Sequence, residues 1–402
     1  MAKESNHPCP RPLLALVKHS IERKKDNKLL WFHAASVGEF ISILPLIKEL
    51  NKNQNLEFLI TTVSLSSSKI AERELKNLVN VKHRFFPVDV NFILEKFISL
   101  WRPQAIFLIE SEIWPNLILT AKRYKIPLAI LNARITKKSF DRWKLVPQVA
   151  KKIFSSFDLC LTSNLETKKF LSEFKVKNIF YTGNIKLFYD IDVDKLKNTN
   201  ENFLTLNRFW VAASTHKGEE NFCLYSHLEL KKKFPNIITI IAPRHIERIN
   251  NIEKLCESFN LSVQVLNKND LILKNKEIIL INSYGDLLTY FKFAQGVFMG
   301  KSTLKNLERV GGQNPIEPAK LGCKVYHGPY VYNFEEIYKV LGEHNIAKKI
   351  NSPESLANNL ANDFEAKENN YGKFSDIMDE LAKRTMRNTM DQVNKFLFNE
   401  NK

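Results

Sequence analysis

The chain has 402 residues, more than one hydrophobic core usually supports, so two domains of roughly 150 to 200 residues each are expected. With 44% hydrophobic and 26% charged residues it is well supplied with core, which excludes a disordered chain. Its 60 Lys and Arg against 43 Asp and Glu give a formal charge of +17 and point to anionic partners (phosphorylated ligands, an acidic membrane surface or nucleic acid), while an AT-rich genome, which enriches Lys and Asn everywhere, accounts for the charge equally well.

The start, Met1 to Pro8, lacks a basic region joined to an apolar one, and its longest apolar run is the short Leu13–Val17. No segment approaches the ~18 apolar residues that span a bilayer, so neither secretion nor a transmembrane anchor is expected. The five cysteines (Cys9, Cys160, Cys223, Cys256, Cys323) stand singly, without zinc or thioredoxin spacing, which fits a reducing compartment.

Short runs rich in Ile, Val, Leu and Phe then alternate with stretches of helical period, the pattern of parallel sheets covered by helices. In the first half the expected strands are Leu29–Ala35, Glu57–Val63, Ala105–Glu110, Pro127–Asn132, Asp158–Thr162 and Asn178–Tyr181, with helices such as Phe40–Asn51, Ser67–Asn77 and Leu165–Phe174. The second half restarts with Phe209–Ala213, Ile237–Ala242, Ser262–Leu266, Glu277–Ile281, Gly296–Met299 and Lys324–His327, a second doubly wound sheet. The expected division is a first domain over 1–195, a polar linker over 196–207, a second domain over 208–375, and a terminal helix over 376–402 that suits packing back on the first domain.

Unusual residues fall repeatedly at the carboxyl ends of these strands, where open parallel sheets bind ligands. Trp31–Glu39 runs from a buried strand through small residues, Ser36 and Gly38 among them, to Glu39 at a helix start. There Glu39 is a general-base candidate if burial raises its pKa, and otherwise a charge that suits the helix dipole. Thr61–Ser64, with Thr62, offers hydroxyls and amides to an anion, or caps the next helix. Glu110 and Glu112 stand one residue apart at the end of the third expected strand and are not taken as an acid/base dyad; one of them is a candidate to orient a sugar or a basic partner. Arg134, with Lys137 and Lys138, is a phosphate contact or solvated loop charge, and Lys186 follows a Gly-Asn turn.

In the second half Ser214 lies in a small-residue loop before a helix, a phosphate cradle. Arg244 and His245 follow the next strand as forked donor and hydrogen-bonding ring. Gly311-Gly312-Gln-Asn314 turns the chain before a helix carrying Glu317, which suits a ribose, and the double glycine suits close approach of a ligand. Gly296–Ser302 looks like a Walker A loop but has one residue too few between its glycines, and reads as a strand followed by a loop.

Together, HAASVGE (His33–Glu39), TTVS (Thr61–Ser64), ESEIWPN (Glu110–Asn116), NARITKKS (Asn132–Ser139), GNIK (Gly183–Lys186), ASTHKGEE (Ala213–Glu220), PRHIER (Pro243–Arg248) and GGQNPIEPA (Gly311–Ala319) resemble, in order, the Kdo (3-deoxy-D-manno-octulosonic acid) transferase family. The resemblance spans about Trp31 to Ile337. It implies an α/β GT-B fold, two Rossmann-like doubly wound domains with an interdomain cleft. It also implies an inverting, metal-independent transfer from the donor CMP-Kdo, without other cofactor, to a lipid A precursor, lipid IVA, in lipopolysaccharide biosynthesis. Glu39 matches the family's base. Ser214, Arg244, His245, Gly312, Asn314 and Glu317 then serve the donor, and Ser36, Gly38, Thr62, Glu110, Glu112, Arg134 and Lys186 the acceptor side and the sugar. The family's setting implies peripheral attachment to the anionic cytoplasmic face of the inner membrane, helped here by Leu13–Lys25, and no nucleic-acid partner. Family members usually begin with a longer apolar segment than the roughly thirty mostly polar residues here, and Lys301–Val310 holds lysines and a glutamate where the family is Gly- and Ser-rich. The rival readings are another GT-B enzyme, a heptosyltransferase or nucleotide-sugar epimerase, and a non-catalytic basic protein that binds nucleic acid or membrane.

Overall fold

The first strand forms because Leu29-Leu-Trp-Phe32 gives bulky side chains to both faces of a sheet: Leu29 and Trp31 enter one core, Leu30 and Phe32 the other. The computed structural model describes residues 27–366 and 371–398, so Leu13–Lys25 and Cys9 lie outside the described residues.

In chain order come β1 (Lys28–His33), α1 (Val37–Leu50), β2 (Leu56–Thr62), α2 (Leu65–Leu75), β3 (Val81–Phe85), α3 (Asn91–Trp101) and β4 (Ala105–Ile109). Then follow α4 (Pro115–Arg123), β5 (Leu128–Ala133), α5 (Lys137–Lys144), α6 (Pro147–Phe154), β6 (Leu159–Thr162), α7 (Leu165–Glu173) and β7 (Ile179–Tyr181), before a 3-10 turn at Ile185–Phe188. All pairings are parallel, in the order β3-β2-β1-β4-β5-β6-β7. The direction of winding reverses between β1 and β4, the switch point where doubly wound sheets bind ligands.

The second sheet begins after α8 (Glu201–Leu206) with β8 (Phe209–Thr215), α9 (Glu219–Lys233), β9 (Ile238–Pro243), α10 (Ile249–Ser258), β10 (Val263–Leu266) and β11 (Ile278–Ile281). It continues through α11 (Leu287–Phe291), β12 (Gly296–Met299), α12 (Ile316–Lys320), β13 (Lys324–His327), α13 (Glu335–Glu343), β14 (Ala347–Lys349) and α14 (Pro353–Ala366). Its order is β10-β11-β9-β8-β12-β13-β14, again parallel, with its switch point between β8 and β12. The last helix is α15 (Tyr371–Phe398). No helix among the described residues is long and apolar enough to cross a membrane.

Contacts divide the chain into one unit that runs through Tyr189 and resumes at Ala382, and another from Asp190 to Leu381. The second boundary thus falls inside α15. Beyond it, Val393 is fully buried in the cluster that holds Phe40, Ile43 and Phe107, with Met386, Met390, Phe396 and Leu397 packed against that cluster. Gly183, at φ +93°, leaves room for the same helix: a Cβ there would lie 2.9 Å from Thr385 Oγ1. Residues 196–207, expected as a polar linker, hold α8, whose Leu204 is buried. Two strands escaped the sequence reading. β3 reads Val-Lys-His-Arg-Phe and is half-buried along its length at a sheet edge, and β14 has three residues, two of them exposed lysines.

Candidate active site

At the first switch point, Ser36 caps α1 and accepts from the Glu39 backbone N–H at 3.3 Å. The Glu39 carboxylate folds back: Oε1 accepts from Ser36 Oγ at 2.9 Å and Oε2 from the Ala35 N–H at 2.8 Å. The spacing Ser-x-x-Glu is that of a capping box, with the carboxylate on the N–H one residue ahead of the cap, and the two bonds fix its direction. Burial raises the Glu39 pKa to about 7, and the like charges of Glu110 and Glu112 push the same way. Gly38 is exposed, and a Cβ there would meet none of the described residues within 4 Å.

Glu110 sits just past β4 in the left-handed region, at φ +57°, and Asn132 in β5 does the same at +55°. Such backbone is uncommon outside glycine and is held here by its surroundings. Asn132 Oδ1 accepts from the Ile185 N–H at 3.1 Å, which docks the 3-10 turn against the end of β5. That turn delivers Lys186, whose Nζ lies 2.6 Å from Glu110 Oε1. Glu112 accepts from Trp114 Nε1 at 2.7 Å and faces His33 Nε2 at 3.5 Å. Glu39, Glu110, Glu112 and Lys186 therefore form one cluster in which both neighbouring carboxylates act on Glu39. Arg134 stands half-buried two residues past Asn132 and donates its backbone N–H to the Glu110 carbonyl at 3.3 Å.

Thr62 does not join them. It is fully buried, and its hydroxyl bonds His83 Nε2 at 2.9 Å, so it faces the sheet's interior and not a ligand; the helix cap there is Ser64. His33 and Thr61 lie in motifs the sequence marked but were given no individual role there. The buried His33 bonds Thr61 Oγ1 through Nδ1 at 3.0 Å and stacks on Phe86, and a histidine closing an apolar strand was the available signal.

At the second switch point Ser214 (φ +55°), next to last in β8, and Lys301 (φ +59°), past β12, take the same left-handed backbone. The residue that organises this end is Glu219, fully buried. It accepts from the backbone N–H groups of His216 (2.9 Å), Lys301 (2.6 Å), Ser302 (2.8 Å) and Thr303 (3.1 Å), and from Thr303 Oγ1 (3.0 Å). Its neighbour Glu220, also buried, holds Thr215 Oγ1 and Arg248 Nη2, each at 2.8 Å. The sequence reading gave these two acids no role, although a double Glu directly after Gly218 marked them. His216 bonds the Ser214 carbonyl at 3.1 Å and meets the ring of His245 edge-on at 5.8 Å. Arg244 and His245 are exposed at the end of β9, and the Arg244 N–H donates to the Thr215 carbonyl at 3.0 Å.

Gly312 (φ +89°) donates to the Lys301 carbonyl at 2.6 Å, which ties the glycine loop to the same cluster. Asn314 Oδ1 accepts from the Ile316 N–H at 3.2 Å just ahead of the short α12, and Glu317 lies half-buried in its first turn. The double glycine has a different cause from the one expected. A Cβ on Gly311 would fall 2.2 Å from the Tyr330 carbonyl oxygen and one on Gly312 2.9 Å from that of Val331, so the pair is required by backbone packing between two loops. Among the described residues no group of three or more His, Cys, Asp or Glu is placed to hold a metal ion.

Two parallel, doubly wound sheets, each gathering polar loops at its switch point, define a protein of the GT-B class. In fold the chain is similar to UDP-N-acetylglucosamine 2-epimerase, at a TM-score of 0.64 and 14% identity over 94% of this chain and 98% of that one. It is likewise similar to a glycosyltransferase of Rickettsia africae, at a TM-score of 0.62 and 12% identity over 93% of this chain and all (100%) of that one. In sequence, residues 14–189 match the family model described as 3-deoxy-D-manno-octulosonic-acid transferase (kdotransferase). The 3-deoxy-D-manno-octulosonic acid transferase of Haemophilus influenzae is 31% identical over 80% of this chain and 76% of its own. A probable mitochondrial 3-deoxy-D-manno-octulosonic acid transferase of Arabidopsis thaliana is 30% identical over 94% and 88%. The chain belongs to the 3-deoxy-D-manno-octulosonic acid transferase family and is a glycosyltransferase.

Proposed function

We propose that the enzyme transfers Kdo from CMP-Kdo to a lipid A precursor, lipid IVA, with inversion and without a bound metal, in lipopolysaccharide biosynthesis. Membership of the family supports the sugar and the acceptor class. The observation that carries the mechanism is Glu39, a half-buried carboxyl with its pKa raised to about 7 and its orientation fixed by two hydrogen bonds.

In this reading the acceptor hydroxyl gives its proton to the Glu39 carboxylate while its oxygen attacks the anomeric carbon of Kdo. The bond from that carbon to the phosphate oxygen of CMP breaks, and the electron pair leaves with CMP. Arg244, His245 and the amides near Ser214, Gly312 and Asn314 meet the charge that grows on the phosphate, and Glu317 accepts the ribose hydroxyls. Ser36, Gly38, Glu110, Glu112 and Arg134 form the acceptor side, from which Thr62 is withdrawn. Lys186 takes the Kdo carboxylate or the phosphate and exchanges its Glu110 partner to do so. The basic surface rests peripherally on the anionic cytoplasmic face of the inner membrane.

Purified enzyme with CMP-Kdo and tetraacyl lipid IVA is expected to yield CMP and a lipid heavier by Kdo units, read by mass. Glu39→Ala lowers kcat by about 10²- to 10⁴-fold and leaves CMP affinity intact. Full activity in that variant removes the mechanism, and turnover of ADP- or UDP-sugars instead of CMP-Kdo replaces the donor.

A further inference from the structure

At the carboxyl ends of β4 and β5 the first unit holds a cavity of about 240 Å³ whose apolar wall the proposed sugar chemistry does not use. Its wall is largely apolar, with Ile113, Ile135, Trp143, Phe154 and Leu171, and its polar side carries Arg134 and Ser139. The volume falls below the roughly 300 Å³ at which pockets begin to hold compact drug-sized molecules, so a nucleotide or a disaccharide does not fit, whereas an unbranched chain does. Each methylene such a chain moves out of water raises affinity about fourfold.

The surroundings fix the chemistry of the rest of the ligand. Trp143 and Phe154, whose rings meet edge-on at 5.3 Å, belong to α5 and α6. The connection and first turn between them expose Leu145 (81%), Val146 (45%) and Val149 (52%). The same two helices carry Lys137, Lys138, Arg142, Lys144, Lys151 and Lys152, with Asp141 as the one acid among them. Apolar side chains on helices this basic, even with Lys137 paired to Asp141 and Lys144 to Glu173 at 3.7 Å, complement an amphiphile with an anionic head. Glu110 lines the cavity and also holds Lys186, so cavity and Glu39 cluster share a wall residue.

We propose that this cavity seats the end of one acyl chain of an anionic amphiphile, the acylated acceptor. This rests on the reading of the acceptor as a lipid and adds where one of its chains goes.

The test uses the whole enzyme and dodecyl phosphate brominated at the far end of its chain, kept below micelle formation, with tryptophan fluorescence as readout. Bromine quenches part of the emission, and Trp143→Phe removes that part. Ala133→Leu fills the cavity from β5 and Ile113→Phe narrows it from a half-exposed position; each raises the half-quenching concentration about tenfold or more, equivalent to about 1.4 kcal/mol. Thermal unfolding of both variants identifies a fold defect, and the two substitutions sit on separate elements, so one reports if the other fails to fold. Quenching that is absent in the wild type, or that survives both substitutions, overturns the cavity. So does equal quenching of wild type and variants by anionic vesicles with brominated chains, which assigns the contact to the outer surface. Binding of the amphiphile by an enzyme that transfers no Kdo leaves the cavity standing and removes the acceptor reading instead.

Discussion

Glu39 was legible as a position and not as an acid of unusual strength. The spacing Ser36-x-x-Glu39 announces a capped helix start, but the burial that pushes the carboxyl to about 7, and the approach of Glu110 and Glu112, come from segments some seventy residues away along the chain. Two measurements follow. A base works ionised, so kcat/KM rises with pH through an acid limb near 7; Glu110→Gln removes a like charge and leaves Lys186 unopposed, both of which move that limb to lower pH. Stability runs the opposite way. The folded state holds the Glu39 proton more tightly than the unfolded chain, so between about 4.5 and about 7 it binds more protons and loses stability as pH rises. The penalty, on the order of 3 kcal/mol, is complete above that window and absent below it. Glu39→Gln therefore unfolds at a higher temperature than wild type at pH 8, with the difference shrinking toward pH 4.5. Equal melting curves at both pH values contradict the burial of this carboxyl. Thr62 shows the opposite error: a hydroxyl near a strand end read as a ligand contact because sequence does not reveal which face a strand-end side chain takes.

At the level of elements, the buried strands were plain because parallel sheets demand apolar runs, as in Phe209–Ala213 and Gly296–Met299. The edge strands β3 and β14 were not, since one face and one edge meet water and Lys, His and Arg are tolerated there. The loops past β8 and β12 depend on tertiary contacts that leave no period in the sequence. Glu219 supplies one carboxylate to four backbone N–H groups and a hydroxyl. An amide there accepts through one oxygen only, so Glu219→Gln leaves backbone donors buried without partners at about 1–3 kcal/mol each. The variant is expected to melt lower and to bind CMP more weakly by calorimetry, although residue 219 is fully buried. Gly328→Ala acts on the same loop from another side, since its Cβ would fall 2.2 Å from the Ser302 carbonyl oxygen; we expect a loss of about 2 kcal/mol or more, read by thermal unfolding.

For the molecule as a whole, two sheets were expected and two are present, but the units are not consecutive stretches of chain. The first resumes at Ala382, and its cluster around Phe40 and Phe107 is completed by Val393, with Met386, Met390, Phe396 and Leu397 against it. The sequence reading expected a terminal helix over 376–402 suited to packing on the first domain, but a helical period does not say which residues of that core it meets. A chain ending at Leu381 uncovers that apolar cluster and is expected to bind a hydrophobic dye and to unfold at lower temperature in its first unit, while CMP binding by the residues of 190–381 persists.

The break at Ala382 also orders events on the ribosome. Residues 190–381 emerge together, so that unit can fold as soon as it clears the exit tunnel. The unit that emerges first waits for the final helix, and its apolar groove stays uncovered through the synthesis of the entire second sheet. Nascent chains stalled before residue 382 are therefore expected to expose this apolar cluster and to call on chaperones.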